Sequence, residues 1–360
     1  MKTYKHLYEI LISDEVRREA AHIVWLKRKK DRYVINNNLT EEDIFEQSLE
    51  WIENFHNYKH KPRVIKEGTN NKERIIIRPT VQELMVQHCL VQTLMPMFTK
   101  GMYEHTYASI PGRGSHKAKK VIEKWIRDDG KQFRYVLKLD IRKFFDSIPH
   151  DKLKAKFHKY IKDEKVLTII DEIIDVQEKG IPLGFFTSQW FANWYLQDLD
   201  HYIKEDLQAD KYIRYMDDKV ITGSNKRKLF QIKDKIEGYL NNKLGLKLKA
   251  NWQLYRFDYV KKNGKRIGRD IDFMGFRFFR NRTTIRKSIL RKARRKALRM
   301  SKKPKITIYD CRQMLSYLGW FDCTDSYNYY TKYIKPYVCF RYLKKRISRF
   351  DKRMAKEAVA

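Results

Sequence analysis

The most constraining feature of the sequence is a pair of adjacent carboxylates, Asp217 and Asp218. They lie in Ile213-Arg-Tyr-Met-Asp-Asp-Lys-Val-Ile221, with apolar or aromatic residues on both sides. Successive side chains of a strand point to opposite faces, so two adjacent carboxylates approach one point only where the strand turns. The segment therefore predicts a tight β-hairpin that carries both acids at its tip.

Two like charges held this close repel each other unless a cation lies between them. Carboxylate oxygens are the ligands that Mg²⁺ prefers in proteins, so the pair indicates a magnesium site. For an isolated Tyr-x-Asp-Asp, a plain surface turn would be the favoured interpretation, because Asp is a common turn former. The rest of the chain has to decide between the two.

The charge of the chain indicates a polyanionic partner. Its 360 residues carry a formal net charge of +34 with a pI near 9.8, which is extreme for a metabolic enzyme. The 23 Tyr, 19 Phe and 7 Trp supply faces on which bases can stack, so nucleic acid is the leading expected partner. A basic ribosomal or membrane-surface protein is the alternative.

The expected location is the interior of a cell, in the cytoplasm. The sequence has no run of about 18 apolar residues and no signal-peptide core at its start, so we expect a soluble protein without a membrane partner. The four cysteines are scattered without a Cys-x-x-Cys pair, which argues against a zinc site or a disulfide framework. We interpret them as reduced core thiols.

Two segments before residue 115 contain arginines suited to phosphate. Val64 to Pro79 predicts a basic β-hairpin around a Gly68-Thr-Asn-Asn71 turn. Arg74 and Arg78 are four apart in an extended run and therefore share a face, as phosphate-binding guanidinium groups or as solvated charges. Arg113 lies between two glycines before a helix start, where it either meets a phosphate or belongs to an ordinary turn.

A second acidic segment follows a buried strand. Tyr135-Val-Leu-Lys-Leu139 reads as that strand, and Asp140 at its end needs a cation or hydrogen-bond donors if it is buried. Phe144 and Phe145 follow in the turn and would form an aromatic wall beside the metal site. Alone, the segment would favour a simpler role for Asp140, as a helix cap or turn residue.

A glycine-bearing loop then leads into a helix. Gly180-Ile-Pro-Leu-Gly-Phe-Phe-Thr-Ser-Gln189 predicts an irregular loop followed by a helix that Thr187 or Ser188 caps. A nucleotide can lie across the backbone of such a loop. The aromatic stripe of the helix is interpreted as core.

Taken in order, these segments resemble the sequence blocks of reverse transcriptases over roughly residues 60 to 280. The blocks are the Arg74 hairpin, Leu139-Asp-Ile-Arg-Lys-Phe-Phe-Asp146, Pro182-Leu-Gly-Phe-Phe-Thr-Ser-Gln189, Tyr215-Met-Asp-Asp218 and Asp272-Phe-Met-Gly-Phe276. The resemblance implies an α+β right-hand polymerase fold with an antiparallel-sheet palm. It places N-terminal helices and fingers in 1–134, the palm in 135–283 with some fingers elements in 160–195, and a basic helical thumb in 284–360.

The resemblance also implies a mechanism and a set of roles. Two Mg²⁺ ions about 3.5–4 Å apart, for which Mn²⁺ can substitute, would clamp the attacking and leaving oxygens of nucleotidyl transfer. The catalytic and metal-binding residues would be Asp140, Asp217 and, in support, Asp218. The nucleotide-binding set would comprise the triphosphate residue Arg74, the steric gate Phe145 that selects deoxynucleotides, Leu183 and Gly184 beside the nascent base pair, and Gln189.

Two departures from the common family pattern refine these expectations. Leu183-Gly-x-x-x-Ser-Gln189 is similar to the form found in reverse transcriptases of diversity-generating retroelements, and an aliphatic residue in place of the usual Gln implies low fidelity. The expected partners are an RNA template, a DNA or RNA primer, deoxynucleoside triphosphates and a small basic accessory protein. The usual Lys after the hairpin helix is displaced, which leaves Lys247 and Lys249 as candidates for the general acid.

The segment from Arg286 to Lys305 predicts a strongly basic helix. About half of its residues are Lys or Arg, beside an apolar stripe of Ile289, Leu290, Ala293 and Ala297. We interpret it as the start of the thumb, with the duplex contacted by Arg78 and Arg113 and, on this helix, by Arg291, Arg294 and Arg295. The alternatives are a solvated face or a protein-binding surface.

Two other functions remain open from the sequence. A defence-associated reverse transcriptase that acts against phage would share every block, and an RNA-binding scaffold could keep the fold without catalysis. The three carboxylates argue against the scaffold, because a binding protein has no need of acids that face an anionic backbone. The sequence shows no Cys-rich or endonuclease-like segment near residue 360, so we do not expect a full group II intron protein.

Overall fold

The computed structural model describes residues 3–56, 58–67, 72–130 and 133–357. They form two compact units. The first comprises Met1–Arg113 and Leu137–Leu254, and the second comprises Gly114–Val136 and Tyr255–Ala360. These units are defined by compactness, whereas fingers, palm and thumb are functional subdomains. The predicted boundaries of those subdomains therefore stay predictions.

Helices account for most of the regular structure. In chain order they are α1 (Leu7–Leu11), α2 (Asp14–Arg28), α3 (Arg32–Asn36), α4 (Glu41–Glu53), α5 (Val81–Thr99), α6 (Ser115–Asp128), α7 (Phe144–Ser147), α8 (His150–Tyr160), α9 (Glu164–Ile174), α10 (Phe186–Tyr195), α11 (Gln197–His201), α12 (Lys226–Tyr239), α13 (Lys287–Ser301), α14 (Ile308–Leu315), α15 (Leu318–Asp322), α16 (Tyr327–Tyr333) and α17 (Phe340–Glu357). Short π-helical segments, Tyr202–Asp206 and Leu240–Leu244, continue α11 and α12.

The strands are short. In chain order they are β1 (Arg63–Glu67), β2 (Lys72–Ile76), β3 (Thr106–Tyr107), β4 (Tyr135–Leu139), β5 (Lys211–Tyr215), β6 (Asp218–Gly223), β7 (Gln253–Arg256), β8 (Tyr259–Val260), β9 (Arg266–Ile267), β10 (Ile271–Phe273), β11 (Phe276–Phe278) and β12 (Thr283–Ile285). A five-stranded sheet has the order β3-β5-β6-β4-β7. Its β5 and β6 are antiparallel, as predicted, whereas β3 adds to β5 in parallel.

The first unit is built around α5. This helix is buried on nearly every side and packs against α2, α4 and α10, as expected of a helix that is apolar all round. The hydroxyl of Thr80 caps its start and accepts from the Glu83 N–H, while the Glu83 carboxylate accepts from the Thr80 N–H. Thr40 and Asp43 cap the start of α4 in the same reciprocal way.

The predicted basic hairpin is present as β1 and β2, which pair from Arg63 opposite Ile76 to Glu67 opposite Lys72. Its predicted turn, residues 68–71, lies outside the described residues. Because β2 ends at Ile76, Arg78 lies beyond the strand, and its place on the same face as Arg74 stays a prediction. The Arg78 guanidinium instead donates to Asp31 Oδ2 at 2.6 Å.

The predicted cap of α10 was also wrong. The helix begins at Phe186, and its first free N–H donates to Gln87 Oε1 at 2.7 Å. Ser188 Oγ donates to Pro182 O at 2.7 Å, which folds the preceding loop back onto the helix. The helix start is thus capped by Gln87, 99 positions away, rather than by the hydroxyl of Thr187 or Ser188.

The second unit contains an antiparallel sheet, β10-β11-β12, and the helices α13 to α17. As predicted, α13 is basic and buries Ala293 and Ala297, with Ile289 and Leu290 partly buried. In the aromatic helices that follow, Tyr309 and Tyr327 are exposed at 69% and 65%. Cys339 is likewise exposed, so it is not a core thiol.

Within the described ranges, we find no helix that combines the length and the apolar character needed to cross a membrane.

Candidate active site

The two acids lie at the tip of a tight hairpin, as predicted. Tyr215 pairs with Asp218 across β5 and β6, which leaves Met216 and Asp217 as a two-residue loop. Met216 has a φ of +57°, a left-handed conformation that a non-glycine residue adopts only when its surroundings hold it there. The Met216 N–H donates to Tyr107 O at 3.3 Å, and its carbonyl accepts from Arg214 Nη1 at 3.1 Å.

A buried ion pair beneath the loop supplies most of this support. Arg214 and Asp200 have side chains only 1% exposed, and Arg214 Nη2 lies 2.6 Å from Asp200 Oδ2. The guanidinium also donates to Asn193 Oδ1 at 3.0 Å. Asp200 accepts further bonds from Tyr212 and Thr106, so the network satisfies both buried charges. Because Arg214 bonds both Asp200 and the Met216 carbonyl, α11 and the hairpin tip are linked.

Asp140 follows β4 and is brought to the hairpin by the sheet, in which β4 neighbours β6. Its main chain is fixed by the Lys249 N–H, which donates to Asp140 O at 2.9 Å. The next residue, Ile141, forms an antiparallel bridge with Leu248. Lys249 Nζ lies 2.6 Å from Asp140 Oδ2, whereas the side chain of Lys247 is exposed.

The acids form a negative centre. Burial raises the pKa of Asp217, and the charge of Asp140, whose side chain lies within hydrogen-bonding reach, raises it further. Burial raises the pKa of Asp218 to about 6, although Lys138 Nζ, 3.4 Å from Asp218 Oδ2, acts in the opposite direction. Asp218 Oδ1 is buried and has no hydrogen-bond partner among the described residues. A buried carboxylate oxygen left in this way fits a cation.

The site is not a preformed three-ligand metal cluster. Among the described residues, no three His, Cys, Asp or Glu side chains are arranged to hold one ion. Asp140 and Asp217 face each other, while Asp218 is engaged by Lys138. The assignment of Asp140, Asp217 and, in support, Asp218 to the metal ions stays a prediction.

The predicted aromatic wall is held by a close backbone contact. Phe145 lies in α7 beside the buried Phe144, with ring centroids 5.5 Å apart. The Ile181 N–H donates to Phe145 O at 2.9 Å. Gly180 has a φ of +71°, and a Cβ there would lie 2.2 Å from Phe145 O, so only glycine permits this approach. His150 Nε2 donates to Gly180 O at 2.6 Å and fixes the loop from outside.

Leu183 and Gly184 are joined to the end of the basic hairpin. The Ile77 N–H donates to Leu183 O at 2.8 Å. Gly184 has a φ of +113°, and a Cβ there would lie 2.2 Å from Ile77 O. The loop is thus fixed three residues from Arg74, a position that sequence separation alone does not indicate. Gln189 is exposed on α10.

The residues expected to bind nucleic acid divide into two groups. Arg78 and Arg113 are used internally, by Asp31 and by the Tyr103 carbonyl respectively, so neither guanidinium is presented as a ready phosphate site. By contrast, Arg291, Arg294 and Arg295 are exposed on α13 in the second unit. Arg294 also stacks over the ring of Tyr333 at 4.9 Å.

Sequence reasoning missed the charged residues that support the site. Lys219 is fully buried, and its Nζ donates to Asp217 O at 3.1 Å. Burial lowers its pKa to about 8, with the charge of Arg214 acting in the same direction. The available signal was the presence of Arg214 and Lys219 within the apolar strands, where a charge requires a partner.

We expect Asp200→Asn to lower the free energy of unfolding by about 3–5 kcal/mol, because it leaves the Arg214 guanidinium buried without a counter-charge. Urea denaturation measures the change. Asp210→Asn removes an exposed carboxylate and should cost less than about 1 kcal/mol. The double variant Asp200→Leu/Arg214→Met should lose less free energy of unfolding than the two single variants lose together. Equal losses for Asp200→Asn and Asp210→Asn would contradict the proposed importance of this pair.

Comparison with known proteins identifies a family and several relatives. The family described as "Reverse transcriptase (RNA-dependent DNA polymerase)" matches residues 60–276. Protein YkfC of Escherichia coli (strain K12) is 23% identical over 264 residues, which cover 61% of this chain and 67% of that protein. The retron Ec73 reverse transcriptase of Escherichia coli is 26% identical over 166 residues, which cover 42% of this chain and 50% of that protein.

Solved structures of telomerase show a weaker likeness. Telomerase from Candida albicans, in complex with a fragment of telomeric RNA, has a TM-score of 0.48 at 12% identity and covers 81% of this chain and 59% of that one. Apo telomerase from Candida tropicalis has a TM-score of 0.46 at 14% identity, with coverages of 65% and 52%. The match spans about half the length of the retron enzyme and of these telomerase chains.

The family match covers more than half of the chain, since it includes 217 of the 360 residues. It confirms the predicted resemblance to reverse transcriptases and, with it, the expected α+β right-hand polymerase fold. This chain belongs to the reverse transcriptase family.

Proposed function

We propose that the chain copies an RNA template into cDNA at the site formed by Asp140 and Asp217. The observation that supports this most directly is the contact between the two carboxylates, which the sheet and the hairpin bring together over 77 positions. Both lie inside the segment matched by the reverse transcriptase family. The RNA template, primer and deoxynucleoside triphosphates are the partners that this function requires.

The acids fit divalent metal ions, because all of their donors are hard oxygens and one buried oxygen of Asp218 has no protein partner among the described residues. When bound, such ions, Mg²⁺ or Mn²⁺, assist attack by the 3′-hydroxyl and departure of pyrophosphate. Asp140 and Asp217 would hold them. Asp218, paired with Lys138, would contribute local charge.

Lys249 is the better of the two lysine candidates near the site. Its hydrogen bond to Asp140 raises the pKa of the ammonium group, so Lys249 holds its proton at Nζ beside the reacting centre. In this position it can neutralise Asp140 in the free protein and then donate a proton to departing pyrophosphate. Lys247 is exposed and has no such contact.

The remaining residues select the substrate. Phe145 would exclude a ribose 2′-hydroxyl, and Arg74 would bind the triphosphate. Leu183 and Gly184, fixed against Ile77, would line the nascent base pair. These roles require the positions that the close contacts at Gly180 and Gly184 maintain.

We expect Asp140→Asn and Asp217→Asn each to reduce primer extension by at least about 100-fold, since charge stabilisation at a reacting centre contributes factors of this size. Purified protein, primed RNA, deoxynucleotides and Mg²⁺ form the assay. Asp210→Asn, which changes an exposed acid, should extend normally. Extension by Asp217→Asn at the wild-type rate, or none by the wild type, would refute the catalytic assignment.

We expect Lys249→Met to bind Mn²⁺ about two- to fivefold more tightly, because a partly exposed ion pair that competes for Asp140 is removed. Electron paramagnetic resonance of free Mn²⁺ measures the affinity without any reaction. Lys247→Met removes the same charge two residues away and should change the affinity less. Identical affinities in the two variants would show that Lys249 does not compete for Asp140.

We further infer that the enzyme is the error-prone reverse transcriptase of a diversity-generating retroelement, working with a small basic accessory protein. Leu183-Gly-x-x-x-Ser-Gln189 supports this subtype. An aliphatic side chain beside the base pair offers no hydrogen bond to it. The difference in binding free energy between a correct and a mismatched base pair is therefore smaller.

We expect cDNA made on a defined RNA to contain errors mainly opposite template adenines, as the resemblance to diversity-generating retroelements implies, and Leu183→Gln to reduce them severalfold. Sequencing of the products measures the error spectrum for both proteins on the same template. Equal error rates opposite all four template bases in the wild type would exclude the retroelement subtype, while leaving the polymerase assignment intact.

A further inference from the structure

A pocket in the second unit lies among α15, α16 and α17 and has a volume of about 340 Å³, within the range of small-ligand sites. Its aromatic walls are Phe321, Tyr327, Tyr330 and Phe340. It contains none of the residues assigned to polymerisation. Tyr327 is 65% exposed, so its ring is accessible to a ligand.

The rings are arranged around Tyr330. Its centroid lies 5.6 Å from that of Phe321, 5.6 Å from that of Phe340 and 6.1 Å from that of Tyr327. Phe321 and Phe340 are buried, so they form a rigid base, and the exposed Tyr327 ring stands at the opening. Flat aromatic surfaces of this kind stack on nucleic-acid bases.

Two cations lie on one side of the opening. Arg341 and Lys344 are exposed, and their spacing of three places them on the same face of α17. Neither has an acidic partner within the described part of the chain. A guanidinium and an ammonium left without partners beside an aromatic slot fit the phosphate of a stacked nucleotide.

The surroundings of the pocket favour an anionic polymer. Helix α17 has 18 residues, of which two are acidic and eight are basic, at positions 341, 344, 345, 346, 349, 352, 353 and 356. Such a helix binds phosphates without regard to sequence. A base enters the slot only when it is unpaired, because bases in a duplex are stacked on their neighbours.

Asp322 adds selectivity at the edge of the pocket. Its exposed carboxylate accepts hydrogen bonds and repels phosphate, so it suits the edge of a base that presents donors. Guanine presents two adjacent N–H donors on its Watson–Crick edge and matches the two carboxylate oxygens. Uracil offers one donor between two acceptors.

We propose that this pocket binds an unpaired nucleotide of a single-stranded nucleic acid, with guanosine preferred. The base stacks on Tyr327 and Tyr330, its Watson–Crick edge donates to Asp322, and its phosphate contacts Arg341 and Lys344. The proposal goes beyond the polymerase function and does not depend on catalysis.

The test uses the full chain, without metal ions or deoxynucleotides, and a short oligouridylate with one central 6-methylisoxanthopterin, a fluorescent guanine analogue. We expect binding to quench the analogue, and Tyr327→Ala to weaken affinity about 5- to 150-fold and to relieve the quenching. Tyr327 is exposed, so its removal should leave the circular dichroism spectrum and primer extension unchanged. Deoxyribose oligonucleotides in a parallel series distinguish an RNA ligand from a DNA ligand.

Matched variants separate the pocket from general charge. Arg341→Ala/Lys344→Ala should weaken affinity and relieve quenching, whereas Lys345→Ala/Arg349→Ala removes equal charge from α17 outside the pocket and should leave the quenching intact. Asp322→Asn should reduce the preference for guanosine over uridine. Full quenching in Tyr327→Ala, or equal relief of quenching by both double variants, would overturn the proposal. Binding of an acidic peptide in preference to the oligonucleotide would also overturn it.

Discussion

The ion pair between Arg214 and Asp200 is the interaction on which the site depends. Both side chains are removed from water, which is costly unless each charge is fully hydrogen-bonded. The pair meets this condition with Tyr212, Thr106 and Asn193 as additional partners. The same guanidinium donates a hydrogen bond to the Met216 carbonyl. This bond helps to offset the conformational free-energy cost of the left-handed backbone of Met216 at the hairpin tip.

Two close backbone contacts hold other parts of the site in place. Gly180 lies against the carbonyl of Phe145, and Gly184 lies against that of Ile77. Both contacts require the absence of a Cβ, and both join segments that are distant in sequence. These contacts anchor the loop before α10 to other segments, so the side chains of the site do not depend on the stiffness of the loop alone.

The second unit presents its positive charge on the surfaces of helices. Its helices α13 and α17 carry dense positive charge and bury apolar residues, Ala293 and Ala297 on α13 and Phe340 and Leu343 on α17. Each helix can therefore bury one face while it presents cations on the other. The exposed tyrosines between them add stacking surfaces. Charge alone explains affinity for nucleic acid but not selectivity, which requires a shaped pocket with both donors and acceptors.

The sequence by itself determined the local features. Two adjacent acids between apolar strands required a turn, Thr40 and Glu41 to Asp43 marked a helix start, and the small-residue stripe of α13 required a buried face. Tertiary structure alone decided which distant groups meet. Lys249 rather than Lys247 contacts Asp140, and Asp31 accepts a hydrogen bond from Arg78. Gln87 caps α10. It also decided that Tyr327 faces solvent. The physical reason is that period and capping act within a few residues, whereas partners and exposure depend on how separate elements pack.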